Sequence, residues 1–405
     1  MMGGAPAGTG SESRYFLAIA GLAITQMIGW GTTYYLPAVV DDRLAAELGL
    51  SRELVFAGVS VMLAVGALAG PGVGRLIDEI GAGRVLTAGS AVIALGLVVL
   101  SMSSSAATFY PAWVLLGIGV PTALSIPAIA KLTEISGLRA RRAIGTLLLF
   151  TGLSASIAWP ITSYLSDTVG WRMMCLLFAA THLVVCLPIH VWLNRVRRDQ
   201  FRRDGETAST VDREGLVQPR WRRHALLLTA LLFSLQGFVS WGLSLQLISI
   251  FEGFGIGTTT AIAVASMMGP AAVIARMAEV AFGHRGPPLF SVIIGTFVLP
   301  LSFALLLVGP RNGEWALAFV LVWSASNGLM AIARATLPLL LFGPSGYGEL
   351  LGKLSLPQHL VFAVAPLAFA AMIDRAGLDI ALWVATVCEV LACLALVVLL
   401  QMVRR

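Results

Sequence analysis

Twelve long apolar runs, separated by short polar connections, make up most of this sequence of 405 residues. A helix needs about 20 apolar residues to cross a bilayer, and inside lipid only helices and closed barrels satisfy their backbone hydrogen bonds. Because 58% of the residues are hydrophobic and 12% are charged, the composition excludes an ordinary soluble protein. The sequence therefore predicts an all-α membrane protein with twelve transmembrane helices. The expected spans 1 to 12 are residues 15–40, 53–73, 85–102, 108–130, 143–165, 173–194, 224–251, 259–282, 288–309, 314–341, 350–373 and 379–402.

The positions of lysine and arginine predict the orientation of these spans. One set of alternate connections carries Arg14, Arg75, Arg84, Lys131, Arg139, Arg141, Arg142, the arginines of 195–223, Arg285, Lys353, Arg404 and Arg405. The other set, called here the arginine-poor side, carries Arg43, Arg52, Arg172, Arg311 and Arg375. Since positive charge concentrates in cytoplasmic connections, we expect both termini in the cytoplasm of a bacterial-type inner membrane. The net charge of +6 then reflects topology rather than nucleic-acid binding.

The one long polar connection divides the runs into two groups of six. We expect a disordered cytoplasmic tail at 1–14, an N-terminal six-helix bundle at 15–194, a cytoplasmic linker at 195–223, a C-terminal six-helix bundle at 224–402 and a cytoplasmic tail at 403–405. The arginines of the linker favour contact with anionic lipid headgroups.

The two halves share a weak internal repeat. Its three elements recur in the same order, six spans apart. They are Gln26 before Trp30-Gly31 and Gln236 before Trp241-Gly242; Gly70-Pro71 before Arg75 and Asp78, and Gly269-Pro270 before Arg276 and Glu279; and Pro160, Asp167 and Gly170, matched by Pro366, Asp374 and Gly377. The repeat predicts two related six-helix bundles.

Residues 74–84, Gly-Arg-Leu-Ile-Asp-Glu-Ile-Gly-Ala-Gly-Arg, form a charged and glycine-rich connection between spans 2 and 3. Charged residues at the end of an apolar span belong at a membrane surface, and glycine allows tight turns and close helix approach. The order of glycine, aspartate and arginine resembles the loop signature of the major facilitator superfamily, although Glu79 stands where that family usually has a basic residue. The resemblance implies two six-helix halves related by an axis along the membrane normal and secondary transport by alternating access.

The same resemblance implies a conformational gate at this connection. The Asp78 carboxylate would meet the start of span 11 near Gly346–Gly352, where helix N–H groups favour an anion. This contact would close the cytoplasmic side. The residues assigned to the gate are Asp78, Arg84, Arg75, Gly74 and Gly81.

One departure in span 4 bears on the kind of transporter. Gly117-Ile118-Gly119 is present, but Trp113 occupies the position at which proton-coupled drug antiporters of the family carry an arginine. The chain is instead similar to the monocarboxylate and oxalate/formate porter branch.

Polar and aromatic side chains on spans 1 and 7 are candidates for the transport cavity, which spans 1, 4, 7 and 10 line in the family. Gln26, Trp30 and Thr33 share one helical face. The alternative is that these polar groups only join helices to one another. The candidates on the two spans are Gln26, Trp30, Thr33, Tyr34, Gln236 and Trp241.

Arg334 in span 10 is the most informative charged residue. Its planar guanidinium suits a substrate carboxylate or another anion, and Asn327, two turns earlier, could shape the same pocket. The alternatives are that Arg334 reaches the headgroups or pairs with a carboxylate on another helix. Arg276 in span 8 is a further substrate candidate, although its spacing also allows a local ion pair with Glu279.

Glu389 and His182 are candidates for carrying a coupling proton, because each is an ionisable group near the middle of a span. The four cysteines all lie within apolar runs without metal-ligand spacing, so we expect packing residues and no metal or cofactor. They are Cys175, Cys186, Cys388 and Cys393.

The sequence thus predicts a secondary active transporter of a small organic solute, with a carboxylate or other organic anion as the expected substrate. The expected partners are that solute, a co-transported proton and the lipid bilayer, and the expected state is a monomer. The alternative within the same class is an efflux pump for drugs or metabolites. An intramembrane enzyme or a sensor without transport is the alternative from another class; the sequence lacks the usual hydrolase, metalloprotease and phosphate-binding motifs.

Overall fold

The structure is a computed structural model that describes residues 9–136, 140–196, 216–282, 289–343 and 347–404. Within these ranges the regular structure is helical, as the apolar runs predict. A π-helical segment, His182–Cys186, joins α8 to α9, and a short 3₁₀ turn, Pro219–Trp221, precedes α10. The α-helices are α1 (Thr9–Thr32), α2 (Pro37–Leu48), α3 (Arg52–Ile80), α4 (Ala82–Ser101), α5 (Ala106–Ala123), α6 (Ser125–Ser136), α7 (Ala140–Thr151), α8 (Ser154–Thr181), α9 (Leu187–Arg195), α10 (Arg222–Gly253), α11 (Thr258–Ser266), α12 (Met268–Phe282), α13 (Phe290–Val308), α14 (Gly313–Phe342), α15 (Tyr347–Ala376) and α16 (Leu378–Arg404).

The described residues contain 11 helical segments long and apolar enough to cross a membrane. One of them, Arg142–Arg195, has 54 residues and contains two of the predicted spans. At a rise of 1.5 Å per residue it would be about 80 Å long, far more than one crossing of a core about 30 Å thick. The helix is kinked at Gly170, whose φ of 80° is left-handed and therefore favours glycine. Counted as two crossings, this segment gives the twelve spans expected from the sequence.

Several spans are interrupted, which their apolar composition did not predict. Span 1 is helical to Thr32, turns, and begins again at Pro37, a residue suited to the first turn of a helix. Span 4 breaks at Leu124 between α5 and α6, and span 8 breaks at Met267 between α11 and α12. At its start, α1 begins at Thr9, inside the segment that we expected to form a tail.

The backbone repeats at glycine positions in the two halves. Gly170 at the turn between spans 5 and 6 corresponds to Gly377 at the turn between spans 11 and 12, and their φ values are 80° and 95°. Gly49 after α2 and Gly255 after α10 likewise have φ values of 64° and 82°. Residues with a Cβ rarely adopt these angles. Each half therefore has a glycine with positive φ at the corresponding connection. This agrees with the repeat found in the sequence.

Within each compact unit, arginines assigned to the arginine-poor side contact residues of other connections assigned to that side. Arg52 lies 3.8 Å from a carboxylate oxygen of Asp374, and the Arg172 guanidinium donates to the carbonyl oxygen of Ser103 over 3.0 Å. Arg311 pairs with Asp379. Each contact thus joins connections that the sequence assigns to one side, and the orientation of the chain in the membrane stays a prediction.

The chain forms two compact units. The first comprises Met1–Leu36, Ala64–Ser154 and Ile161–Ser209, and the second comprises Pro37–Leu63, Ala155–Pro160 and Thr210–Arg405. In the first unit, the apolar side chains of α1, α4, α6 and α9 pack into one cluster that includes Leu22, Leu86 and Leu193.

In the second unit, α10 packs closely against α15. A Cβ added at Gly237 would meet the Phe362 ring, and one added at Gly242 would meet the Phe369 ring and the carbonyl oxygen of Ala365. Small residues allow this approach, which matters inside lipid because packing rather than water exclusion holds helices together there. The close contact positions Phe362 beside the residues considered next.

Candidate functional site

Arg334 lies in α14, two turns before its end at Phe342. Its Nε atom is fully buried without a hydrogen-bond partner among the described residues. Within the same part of the chain the guanidinium also has no ion pair. A buried cation without a partner is costly, so this arrangement leaves Arg334 able to bind an anion. It does not support the alternative in which Arg334 pairs with a carboxylate on another described helix.

One aromatic ring of α15 lies beside this guanidinium, and two further rings contact that ring. The Arg334 Cζ atom lies 6.0 Å from the centre of the Phe362 ring, at the outer limit of a cation–π contact. Trp241 stacks on Phe362 with ring centres 5.4 Å apart and planes 15° apart. His359 meets the same ring edge-on at 6.0 Å. The structure therefore places the Phe362 ring beside the cation, with the predicted Trp241 stacked on that ring. These two rings are called the aromatic wall below.

Two charged residues act electrostatically on Arg334. Glu389 of α16 attracts the guanidinium, and Arg276 of α12 repels it. Glu389 is 1% exposed, and its Oε2 atom is buried without a partner among the described residues. Glu279, whose spacing allows a local ion pair with Arg276, accepts a hydrogen bond from the Ser291 hydroxyl. Arg334, Arg276 and Glu389, predicted separately, thus belong to one electrostatic group.

The two candidate amides of the second half, Gln236 and Asn327, contact other residues of the protein. Gln236 is 1% exposed, and its Nε2 atom lies 3.5 Å from the Thr296 hydroxyl of α13. Its Oε1 atom is buried without a partner among the described residues. Asn327 donates from Nδ2 to the carbonyl oxygen of Trp323, one turn earlier on the same helix, over 3.0 Å. A substrate role for both amides stays a prediction.

The candidates of span 1 are mostly buried. Gln26 donates from Nε2 to the carbonyl oxygen of Ala123 over 3.1 Å, immediately before the break in span 4. Thr33 donates to the carbonyl oxygen of Gly29 on its own helix. Trp30 is partly exposed and meets the buried Tyr34 edge-on at 6.1 Å. The Gln26 contact joins two helices, which is the alternative that the sequence left open, whereas the other two contacts are local. The cavity role stays a prediction.

His182 belongs to a hydrogen-bonded set that the sequence did not show. Its Nε2 atom lies 2.8 Å from the Thr32 hydroxyl, and the Nε2 atom of His190 lies 3.0 Å from the Thr25 hydroxyl. The two threonines are seven residues apart, about two α-helical turns, but the histidines are eight apart. The π-helical segment takes up the extra residue and so turns both imidazoles toward α1. Sequence reasoning missed His190 because this insertion has no visible signal.

The predicted cytoplasmic gate forms the end of α3 and the start of α4. Arg75, Asp78 and Arg84 are exposed. Gly81 has a φ of 90°, so the turn between the helices needs a glycine. A Cβ at Gly74 would meet nothing within 4 Å among the described residues, whereas one at Gly83 would meet the Asn194 backbone. The predicted contact of Asp78, near Gly346–Gly352, includes Gly346, which lies outside the described residues, so the gate stays a prediction.

A cluster of charges on the arginine-poor side was not predicted as a site. Arg52 donates from Nε to a carboxylate oxygen of Asp41 over 2.5 Å and lies near Asp374. Its Nη2 atom lies 3.4 Å from the Oε1 atom of Gln246 on α10. Next to it, Arg375 donates through Nε and Nη2 to both carboxylate oxygens of Glu53, over 2.8 and 2.5 Å. The signal in the sequence was opposite charges on connections assigned to the same side.

The chain is similar in sequence to one protein family and in fold to solved transporter structures. The family model described as the Major Facilitator Superfamily matches residues 19–366. A solved structure of the nucleoside transporter NupG aligns with a TM-score of 0.71 at 12% identity, over 96% of this chain and 99% of that chain. A structure of the peptide transporter POT aligns with a TM-score of 0.74 at 14% identity, over 95% of each chain. Among curated proteins no significant match is found. At these identities the solved structures show a shared fold alone.

Proposed function

This chain belongs to the major facilitator superfamily, and from that premise we propose that it carries a small organic anion, with a carboxylate as the recognised group, across the membrane by alternating access. The proposal includes both termini in the cytoplasm of an inner membrane and similarity in substrate class to the monocarboxylate and oxalate/formate porters. It also includes a proton as the coupling ion.

The observation that carries this proposal is the Arg334 guanidinium, whose buried Nε atom has no hydrogen-bond partner and which has no ion pair among the described residues. A carboxylate can accept two parallel hydrogen bonds from a guanidinium, which fixes its orientation as well as adding binding free energy. The cost of keeping Arg334 partly desolvated is then offset when substrate binds. The stacked rings of Trp241 and Phe362 would contact the apolar part of the same solute.

Glu389 offers a physical basis for coupling to protons. When its carboxyl is ionised, it attracts Arg334 and competes with a substrate anion for the same cation. When the carboxyl is protonated, that competition ends. Proton binding at Glu389 and anion binding at Arg334 would therefore strengthen each other, as linkage requires.

Flux measurements with the unmodified protein test the proposal. In proteoliposomes, radiolabelled monocarboxylates should enter with saturable kinetics and faster when the side of substrate entry is more acidic, and empty liposomes provide the control. Amphipathic cations should not be carried. Cation efflux without carboxylate flux would contradict the proposal and support the alternative, an exporter of drugs or metabolites, which the aromatic wall beside Arg334 also suits.

The cytoplasmic gate gives a second test. D78N should lower transport about tenfold while leaving the amount of folded, inserted protein unchanged, because the contact of a carboxylate with a helix N-terminus contributes about 1 kcal/mol or somewhat more. E79Q removes a neighbouring exposed carboxylate and should transport like the wild type. Flux measurements beside size-exclusion profiles of each variant check this. Equal transport by D78N and the wild type would remove the gate from the proposal.

A further inference from the structure

The end of the linker contacts the end of α14 through its backbone. The N–H groups of Leu216 and Val217 donate to the carbonyl oxygens of Leu340 and Leu341, each over 3.0 Å. The last four carbonyl groups of a helix have no partner within the helix, and the linker provides donors for two of them here. Leu216 and Val217, called the strap below, therefore complete the C-terminal end of α14.

The strap is packed against the protein and leads directly into α10. Val217 is 9% exposed. At the first residue of α10, the Arg222 Cζ atom lies 5.9 Å from the centre of the Phe342 ring, within the range of a cation–π contact. These contacts join the start of α10 to the end of α14. The two helices carry Trp241 and Arg334, which belong to the candidate substrate site.

A proline makes this end of α14 dependent on contacts from outside the helix. Pro338 lies inside α14 and has no N–H group, so it cannot give the Arg334 carbonyl, four residues earlier, the hydrogen bond of an uninterrupted helix. Helices also bend most often at proline. The last turn, from Pro338 to Phe342, is therefore joined less firmly to the rest of α14 than an ordinary turn would be. Arg334 lies in the turn next to it.

We propose that the strap positions Arg334 for substrate by holding the last turn of α14 in place. The inference rests on the proposed function, because it concerns the site at which the carboxylate binds. Leu340 and Leu341, which the strap contacts, follow Arg334 by six and seven residues, about two helical turns. Leu216 and Val217 are therefore positioning residues that act through the helix, and the linker sets the affinity of the substrate site.

Replacing a strap residue with proline tests this inference. L216P removes the N–H that donates to Leu340 and should raise the KM for carboxylate uptake about fivefold, the effect of one typical hydrogen bond. The maximum rate in proteoliposomes should stay near that of the wild type, because the groups that touch the solute are unchanged. The matched control is L216A, which shortens the same exposed side chain but keeps the N–H. Its KM should equal that of the wild type.

A second substitution provides a rescue that general damage to the protein would not show. P338A restores the N–H that the Arg334 carbonyl lacks, so the last turn should no longer depend on the strap. The double variant of L216P and P338A should therefore regain the KM of the wild type. V217P, with V217A as its control, decides the question if size-exclusion profiles show that L216P fails to fold. Equal KM values for L216P and L216A, or an L216P defect that P338A does not reverse, would overturn the inference.

Hydrogen exchange followed by mass spectrometry tests the strap without any substrate. In peptides that cover residues 337–343, L216P should exchange amide hydrogens at least about fivefold faster than L216A, because the last turn opens more often. Peptides from the middle of α14, such as residues 318–328, should exchange alike in both variants and provide the internal control. Unchanged exchange in the last turn would contradict the role of the strap.

The two levels of inference can fail separately. If the wild type carries no carboxylate but L216P speeds exchange and P338A reverses this, the proposed substrate is wrong and the hold of the strap on α14 stands. If carboxylate uptake depends on Arg334 but neither KM nor exchange responds to L216P, the strap is wrong and the proposed function stands. Faster exchange with an unchanged KM, in a protein that carries carboxylates, would overturn the positioning of Arg334.

Discussion

R334Q should lower carboxylate flux at least about 30-fold. Removing one partner of a desolvated, hydrogen-bonded charge pair costs about 2–5 kcal/mol, and each 1.4 kcal/mol is a factor of about ten. Glutamine keeps similar length and polarity but cannot present a charged fork to a carboxylate. Initial rates of radiolabelled monocarboxylate uptake into proteoliposomes, at equal protein incorporation, measure the effect.

Two further variants separate charge from geometry. R334K keeps the positive charge but loses the planar fork, so its flux should lie between those of the wild type and R334Q. R223Q removes an exposed arginine from α10 in the same half and should leave flux unchanged. If R334Q transports carboxylates as well as R223Q does, Arg334 is a structural residue and the anion proposal fails.

The membrane fold was predictable because its main constraint is a local property of the sequence. An apolar run long enough to cross lipid must be helical there, so counting runs gave twelve spans. The interruptions at Leu124 and Met267 were not predictable in this way, because hydropathy is the same on both sides of a break. Gly170 was identified from the repeat, and its positive φ supplies the physical reason for glycine at that turn.

The candidate site was predictable only in part. Arg334 could be identified because an arginine within an apolar run needs an anionic or polar partner, whichever helices surround it. Its neighbours Phe362 and Glu389 come from α15 and α16, and no spacing within one helix indicates contacts between helices. Gln26 was assigned to the cavity from its type and position alone, and its hydrogen bond to the backbone at Ala123 could not be predicted in that way.

The charge cluster around Arg52 shows a different limit of sequence reasoning. Arg52 and Arg375 were used only to count positive charges on one side of the membrane. That count placed them on the same side, yet it contained no information about which acidic residue each would meet. The pairing of Arg52 with Asp41 and Asp374 depends on how segments distant in sequence pack within one unit.

E389Q should abolish proton-driven accumulation while preserving exchange of substrate for substrate. Glutamine resembles a carboxyl that is always protonated, so it no longer competes for Arg334 and cannot release a proton. Net uphill transport needs release of the proton in every cycle. In exchange, the transporter returns across the membrane with substrate bound, so no proton has to be released. Accumulation driven by a proton gradient should therefore fall to the level without a gradient, and counterflow at equal internal and external pH should match the wild type.

The control for this prediction is D379N, which neutralises an exposed carboxylate at the start of the same helix. It should retain both activities, because its side chain is 59% exposed and lies outside the group around Arg334. Loss of exchange together with accumulation in E389Q would assign Glu389 to packing or substrate contact rather than to coupling. Full accumulation by E389Q would place the coupling proton on another group, and His182 with its hydrogen bond to Thr32 would then be the next residue to test.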